Sequence, residues 1–498
     1  MHVNKMMENS ADKYPPKSCN SLYQLTAIFL QNNEIMHFRP IHFIIIFMSN
    51  KKSLNFQHRS RTRKVQISST AQGLTSQAGL IPLVKYLERI GFEKIVARNI
   101  THSRGSNAAY QLPDVVLLTL VGMVGGATSM AKIAAIWTDS VLRTIAGWVK
   151  VPVETTIFRV FKEIKASQVS QLETLTHRLR AHHWRRLLRS GLSKISLQPV
   201  HWVDVDSTVD TVCGSQAGSA KGYNPKHKGA RSYHPQLAFL AETKEILHAW
   251  FRTGNAYTSN GIVEFTRQLL AHLPNRMRII FRGDSGYFVG DLLDLLDTRG
   301  HGYLIKVKLK NLAALLSSQS WKAIKGNPGW EQCEFEYRCG SWARSRRFVA
   351  VRMTIVEQHT NPQWELFEAM KYDYFCYVTT EALTPWQAHK KYGERATCET
   401  WIEEAKGQMG MGKVRSDCFL ANAALFHCAI LAYNMLRWMA QASDNKILRQ
   451  WEPETFRTYL IRVAGKLLTG SNQLMIKTPD NPLFPKEWDD WVKVGLSD

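Results

Sequence analysis

The stretch His201-Trp-Val-Asp204-Val-Asp206-Ser-Thr208 decides how the fold is interpreted. Apolar and polar residues alternate along it with a period of two, which is the pattern of a β-strand. Asp204 and Asp206 therefore point to the same face, where two carboxylates repel each other unless a cation lies near them. A solvated face of an edge strand is the alternative interpretation. The stretch predicts a strand that carries either an acidic site or an exposed acidic edge.

A second aspartate follows a short apolar segment, Arg278-Ile-Ile-Phe-Arg-Gly-Asp284-Ser-Gly286. Such segments are typical of buried parallel strands, and side chains just past the ends of those strands form the sites of α/β proteins. Gly283 and Gly286 allow the backbone to turn sharply and leave Asp284 exposed at the tip. Alternatively, Asp284 caps the helix predicted over residues 292–296.

Further strands are predicted over residues 236–242, 246–252 and 302–307, with a helix from residue 259 or 260 to residue 273. The predicted order is three strands, a helix, a strand, a helix and a strand. Between the first two strands, the loop from Lys221 to Arg231 has five basic side chains. Its charge suits a phosphate backbone, although a plain hairpin connection is equally compatible with its turn residues.

A third polar stretch, Tyr392-Gly-Glu-Arg395-Ala-Thr-Cys-Glu399-Thr-Trp-Ile-Glu-Glu-Ala-Lys406, lies between Pro385 and Gly407. Proline favours the start of a helix and glycine its end, so one helix is predicted. At about 100° per residue, Tyr392, Arg395, Glu399 and Lys406 share one stripe of that helix. If Gly393 breaks the helix, Tyr392 leaves the stripe and the other three keep it. A solvated helix face with spaced charges is the alternative.

The spacing of tyrosine, arginine, glutamate and lysine over residues 392–406 resembles the motif of DDE transposases of the insertion-sequence-four family. Together with Asp-Ser-Thr at 206–208 and Gly-Asp-Ser-Gly at 283–286, it resembles the thirteen-eighty group, over about residues 78–437. The order of elements resembles the ribonuclease H-like core. The resemblance implies an α/β fold with a ribonuclease H-like mixed sheet and a β-rich insertion, preceded by a helical DNA-binding domain.

The resemblance also implies roles for single residues. Those expected to be catalytic and to hold metal are Asp206, Asp284 and Glu399. The expected metal is Mg²⁺, as two ions, with Mn²⁺ tolerated. Arg395 and Lys406 are expected to hold backbone phosphates beside the cut, and Tyr392 to position or stack against the terminal nucleotide. Asp204 is expected to orient a ligand or water, or to pair with a nearby basic side chain.

The implied function is that of a transposase of a bacterial insertion sequence, which binds terminal inverted repeats and catalyses metal-dependent DNA cleavage and strand transfer. The expected partners are double-stranded DNA, at transposon ends and target, and a second copy in an active homodimer. No membrane is expected, and the location is cytoplasmic. A stand-alone metal-dependent nuclease and an inactive DNA-binding repressor are the alternatives. The presence of all three acids argues against the repressor.

Composition agrees with a polyanionic partner, because 64 Lys and Arg against 41 Asp and Glu give a formal net charge of +23. Fifteen tryptophans and 45% hydrophobic residues indicate a packed enzyme rather than a basic tail. The eight cysteines lack paired C-x-x-C spacing, which predicts reduced thiols and no zinc site.

The domain organisation follows from these patterns. Residues 1–66 are interpreted as a disordered or wrongly included extension with a basic arm, His58 to Lys64, and Met48 is favoured as the start. Thr155 or Thr156 is predicted to cap the second helix of a helix-turn-helix, and the basic run from His177 to Arg189 favours DNA contact. The predicted segments are a helical DNA-binding domain at 67–195, the first part of the catalytic core at 196–310, a β-rich insertion at 311–371, the second part of the core at 372–443 and a C-terminal helical tail at 444–498.

Overall fold

The computed structural model describes residues 66–101, 104–105, 107–191, 200–355, 371–471, 473–480 and 483–496. The predictions for the N-terminal extension, its basic arm and a start at Met48 lie outside these residues. Residues 71–498 form one compact unit. Residues 66–70, which belong to a separate unit, are in neither helix nor strand.

The helices and strands of the described residues are numbered in chain order. The helices are α1 (Leu80–Arg89), α2 (Phe92–Asn99), α3 (Leu112–Val124), α4 (Met130–Ile136), α5 (Ser140–Ile145), α6 (Glu154–Lys162), α7 (Ala166–Arg189), α8 (Ile262–Ala271), α9 (Gly290–Thr298), α10 (Leu312–Ser317), α11 (Pro385–Gly393), α12 (Ala396–Glu403), α13 (Phe419–Ala442), α14 (Pro453–Phe456) and α15 (Pro485–Leu496). The strands are β1 (Leu74–Thr75), β2 (Val200–Ser207), β3 (Asp210–Thr211), β4 (Ala220–Lys221), β5 (Arg231–Tyr233), β6 (Gln236–Leu240), β7 (Ile246–Trp250), β8 (Arg278–Gly283), β9 (Gly302–Lys306), β10 (Lys322–Ala323), β11 (Trp330–Tyr337), β12 (Arg346–Ile355), β13 (Lys371–Thr379), β14 (Gly465–Thr469) and β15 (Leu474–Lys477).

A nine-stranded mixed sheet organises the molecule, in the order β10-β11-β12-β13-β9-β8-β2-β6-β7. The pairs β2–β8 and β8–β9 are parallel, and the other pairs are antiparallel. Along the chain, β2, β6, β7, α8, β8, α9 and β9 follow the predicted order of strands and helices, with the small sheet β3-β5-β4 inserted after β2. The parallel strands β2 and β8 end at the same edge of the sheet, where α/β proteins place their sites.

The strands of the predicted β-rich insertion belong to this same sheet. β12 pairs with β13 over eight residue pairs, from Phe348↔Val378 to Ile355↔Lys371, and β13 pairs in turn with β9. Alternating side chains predict that a segment is a strand, but they leave its neighbour undetermined. The segment from 311 to 355 therefore widens the central sheet instead of forming a sheet of its own.

The helices before the sheet share a hydrophobic core with the C-terminal part of the chain. Arg457, which is buried, donates through its guanidinium to the carbonyl oxygens of Met123 and Val124 at the end of α3. β14 pairs with β1, so the segment predicted as a helical tail also contributes strands. Among the described helices, α13 is long and apolar enough to cross a membrane, and 89% of its most apolar window is buried within the protein. Core helices have the same properties.

One prediction for the helical region is wrong, and the basic run of α7 is divided between two faces of the helix. α6 begins at Glu154 after Val153, so Thr155 and Thr156 lie in its first turn and do not cap it. In α7 the basic run does not form one exposed surface, because residues three or four positions apart share a helix face and one face of α7 packs inward. The residues of the run that are buried are His177, Arg180 and His183. Those that are exposed are Arg178, Arg185 and Arg189.

Candidate active site

β2 and β8 place two aspartates side by side. The last registered pair of these parallel strands is Val205↔Gly283, so Asp206 and Asp284 each lie one residue further along neighbouring strands. The backbone N–H of Ser207 donates to Asp206 Oδ1 at 2.8 Å, and that of Gly286 donates to Asp284 Oδ1 at 2.9 Å. Asp284 thus caps the short 3₁₀ turn Ser285–Tyr287, whereas the alternative interpretation had it cap the helix that follows. The backbone N–H of Gly286 thus binds Oδ1 of Asp284 and not Oδ2.

Arg395 lies between Asp206 and the third acid, Glu399, and forms an ion pair with each. The helix predicted here is interrupted at Glu394 and Arg395, so Tyr392 lies in the last turn of α11 and Arg395 immediately precedes α12. Arg395 Nη2 lies 2.8 Å from Asp206 Oδ2, and Arg395 Nη1 lies 3.5 Å from Glu399 Oε1. The Arg395 side chain is 9% exposed and that of Glu399 is 67% exposed. The interruption comes directly after Gly393. For a break at this place, the sequence predicted that Tyr392 would no longer share a helix face with Arg395, Glu399 and Lys406.

The charges of the three acids act on one another. Burial raises the pKa of Asp206 to about 6; the Arg395 guanidinium opposes this rise, and the carboxylates of Asp284 and Glu399 add to it. The negative charge that Asp284 and Glu399 place near Asp206 would favour a cation bound beside it. Their oxygen atoms are the donor type that Mg²⁺ and Mn²⁺ prefer, so the chemistry of the residues suits a divalent metal. The three acids are not among the described groups whose ligand atoms all lie within 4.8 Å of one another, so they would have to draw closer around an ion.

Asp204 pairs with a basic side chain, which was one of its two expected roles. Asp204 and Arg282 are both fully buried, and Arg282 Nη2 donates to Asp204 Oδ2 at 2.7 Å while Nε donates to Oδ1. The guanidinium lies over the ring of Trp202 and also donates to the carbonyl oxygen of Lys391. The pair therefore connects β2, β8 and the end of α11, which carries Tyr392.

Lys406 lies within the π-helical segment Glu404–Gln408, and its side chain contacts the residues that follow β2. Its ammonium donates to Thr208 Oγ1 at 2.8 Å and to the carbonyl oxygen of Val209 at 2.9 Å, and it lies 3.2 Å from Asp210 Oδ1. Burial raises the pKa of Asp210, and Lys406 opposes that rise. Lys406 thus holds the segment that follows Asp206, and contact with a phosphate requires these bonds to be exchanged.

Tyr392 is half-buried beside the acids. Its ring centroid lies 4.6 Å from that of Tyr377. Burial raises its pKa to about 12, Arg395 opposes the rise, and the three acids add to it. The phenol therefore stays protonated and is a hydrogen-bond donor next to the carboxylates.

A serine and a histidine beside the first acid were missed by the sequence interpretation. Ser207 Oγ lies 3.0 Å from His234 Nε2 and 3.1 Å from Thr258 Oγ1. The other ring nitrogen of His234 bonds the carbonyl oxygen of Ala256, which can only accept, so Nδ1 carries the proton and Nε2 accepts from Ser207. These bonds fix the end of β2. Because the partners lie on separate elements, no local pattern indicates them.

The basic loop from Lys221 to Arg231 lies close to the helix of the third acid. Its Lys226, Lys228 and Arg231 are exposed, and Lys226 Nζ lies 3.9 Å from Glu403 Oε1, one helical turn beyond Glu399. Exposed cations beside the helix that carries Glu399 suit contact with a polyanion.

The family model described as "Transposase DDE domain group 1" matches residues 57–487. The chain belongs to this family. Among solved structures, this DDE transposase is similar to that of the "piggyBac transposase synaptic complex with hairpin DNA", with 11% identity, a TM-score of 0.39 and coverage of 78% of this chain and 79% of the other. No curated protein matches the sequence.

Proposed function

We propose that this DDE transposase is encoded by a bacterial insertion sequence of the insertion-sequence-four family, thirteen-eighty group. In this proposal it binds terminal inverted repeats, cleaves DNA there and joins the freed ends to target DNA. The observation that carries the proposal is that Asp206, Asp284 and Glu399, from three separate elements, interact electrostatically, with Arg395 between two of them.

The order of strands supports a ribonuclease H-like core. Within the sheet these strands lie in the order β7-β6-β2-β8-β9, so β2, the first of them along the chain, is central. On one side of it β6 pairs antiparallel with β2 and β7 pairs antiparallel with β6; on the other side β8 and β9 run parallel to β2. Such an arrangement puts the acid of β2 and the acid after β8 at one edge, facing the helix that follows the sheet. The helices of residues 67–195 are then proposed as the DNA-binding part, with Arg178, Arg185 and Arg189 exposed on α7.

Asp206, Asp284 and Glu399 are proposed to hold two Mg²⁺ ions, with Mn²⁺ tolerated. Bound there, the ions would supply Lewis-acid chemistry at the phosphodiester, increasing the nucleophilicity of the attacking oxygen and stabilising the leaving one. The raised pKa of Asp206 favours this occupancy, since a cation relieves the repulsion that causes part of the shift.

The remaining residues would bind and orient the DNA. Arg395 is proposed to exchange its contact with Asp206 for a backbone phosphate, which its planar guanidinium can bind through two N–H groups. Tyr392 would donate to, or stack on, the terminal nucleotide. Lys406, which was expected to contact DNA, would act chiefly by fixing residues 208–210, and the loop 221–231 would contact the flanking phosphates.

The test uses end-labelled duplex carrying the inverted repeats that flank the gene, together with a target plasmid. We expect Mg²⁺-dependent cleavage followed by joining, and we expect Asp206→Asn, Asp284→Asn and Glu399→Gln to lose both while still shifting the duplex in a gel. Glu403→Gln, an exposed acid on the same helix, is the matched control and should retain both.

Each alternative has its own outcome in this assay. Cleavage without joining would indicate a nuclease, and binding without cleavage by the native chain would indicate a repressor. Light scattering with the end duplex tests the proposed homodimer, and fractionation of cells tests the proposed cytoplasmic location away from the membrane.

A further inference from the structure

A cluster of histidines with one glutamate lies away from the three acids, between α7 and the edge strand of the nine-stranded sheet. Glu173 and His177 are four residues apart on α7, so they lie on one face of the helix. His248 lies on β7, the outer strand. One ligand atom from each of the three side chains lies within 4.8 Å of the other two.

The imidazoles in this cluster are buried and lack ordinary partners. Both ring nitrogens of His177 and of His248 make no hydrogen bond with any described residue. Glu173 Oε1 lies 3.0 Å from His248 Nδ1, but not along the direction in which an N–H of that ring would donate. His177 is also held in place, because it stacks on His272 with the ring centroids 3.7 Å apart. Buried polar groups in this state require an explanation, and an ion is one of the few available.

The side chains of the cluster suit a ligand that accepts lone pairs, because imidazole nitrogens and carboxylate oxygens are lone-pair donors. His177 is 6% exposed and His248 is 2% exposed, so water does not readily take the place of such a ligand at the rings. Arg180 is an opposing cation close to His177; its guanidinium is bound to the carbonyl oxygens of Leu247 and His272.

We propose that Glu173, His177 and His248 bind one transition-metal cation of the Zn²⁺ class, which ties α7 to β7. Two imidazoles and a carboxylate suit Zn²⁺, whereas Mg²⁺ prefers a set made only of oxygen donors. The role would be structural: the ion would join the helical region to the edge of the sheet that carries the acids. The cysteine spacings predicted no zinc site. The two histidines lie on elements far apart in the chain, so no local pattern indicates that they meet.

The experiment measures Zn²⁺ bound to the full chain after dialysis against Zn²⁺ and then against buffer. All proteins carry Asp206→Asn, Asp284→Asn and Glu399→Gln, so that the acids cannot contribute. In this background we compare the further variants His177→Gln, His248→Gln and Glu173→Gln with His182→Gln, a partly exposed histidine on the same helix. Circular dichroism checks folding, and Glu173→Gln replaces the most exposed ligand, which makes it the variant least prone to misfold.

We expect about one Zn²⁺ per chain, with affinity lower by more than about tenfold in each of the three ligand variants and unchanged in His182→Gln. Co²⁺ bound in its place should give visible absorption bands that the Glu173→Gln variant alters, and Zn²⁺ should raise Tm in the parent but not in this variant. The proposal is overturned if the folded parent binds no stoichiometric Zn²⁺, or if the ligand variants and His182→Gln bind it equally. Neither result bears on DNA cleavage, which is assigned to other residues.

Discussion

Asp204→Asn removes the charge that balances Arg282 inside the sheet. Both side chains are fully buried, and the guanidinium gives two of its hydrogen bonds to the Asp204 carboxylate. In the variant the Arg282 cation keeps the carbonyl oxygen of Lys391 and a longer contact, 3.5 Å from Nη1 to Oε2, with the half-exposed carboxylate of Glu394. Removing one member of a buried ion pair costs about 3–5 kcal/mol, against a total stability of about 5–15 kcal/mol. We therefore expect a large fall in the free energy of unfolding.

Urea unfolding followed by tryptophan fluorescence measures this loss. Glu403→Gln, which replaces an exposed acid on α12, is the control; substitutions of exposed side chains change stability little, so a change within about 0.5 kcal/mol is expected. The double variant Asp204→Asn with Arg282→Met should recover part of the stability, because no unpaired charge remains buried. The reasoning is refuted if Asp204→Asn unfolds at the native midpoint while cleavage is lost, since Asp204 would then act on the reaction and not on the fold.

Three further predictions concern other parts of the chain. Burial lowers the pKa of His183 from 6.5 to about 3, so below pH 6.5 the unfolded chain takes up a proton that the native chain does not, and stability falls as the pH falls. Denaturation at several pH values should show the native protein losing about 2 kcal/mol more than His183→Gln between about pH 6.5 and 4.5, and parallel curves would contradict this. Lys406→Met should destabilise the chain by about 1–3 kcal/mol, because Asp210 stays buried without its partner, and should leave the salt dependence of end binding unchanged; a reduced slope in gel shifts would instead assign Lys406 to a phosphate. Lys226→Gln and Lys228→Gln should each lower that slope by about one ion, and an unaltered slope would remove the loop from the DNA interface.

Local patterns were sufficient for the two strands that carry the aspartates. The period-two pattern around Asp206 and the apolar run before Asp284 each depend on a few consecutive residues, and the strands are where these patterns put them. The single helix predicted between Pro385 and Gly407 is instead α11, α12 and a π-helical segment, with Glu399 on α12. The order of these elements along the chain was predictable for the same reason.

Pairing across the chain was not predictable from such patterns. Arg282 stands within an apolar strand, which signals that a charged partner exists, but the sequence does not show that the partner is Asp204, 78 residues away. Lys406 was expected to hold a phosphate. Its contacts with residues 208–210 depend on tertiary packing, so they could not be predicted from the sequence. The basic run of α7 looked continuous because sequence alone does not say which face of the helix packs inward, and Arg180 and His183 are on that face.

The most direct test of the proposed chemistry is cleavage of the end duplex by Asp284→Cys with Mg²⁺ and with Mn²⁺. A thiolate binds Mg²⁺ poorly and softer metals better, so a ligand at this position links activity to the identity of the metal. The account predicts that Asp284→Cys binds the duplex, fails to cleave it with Mg²⁺ and regains cleavage with Mn²⁺, whereas Glu403→Cys cleaves with either. Native cleavage rates for Asp284→Cys with Mg²⁺ would contradict the assignment of Asp284 as a metal ligand, and with it the central claim.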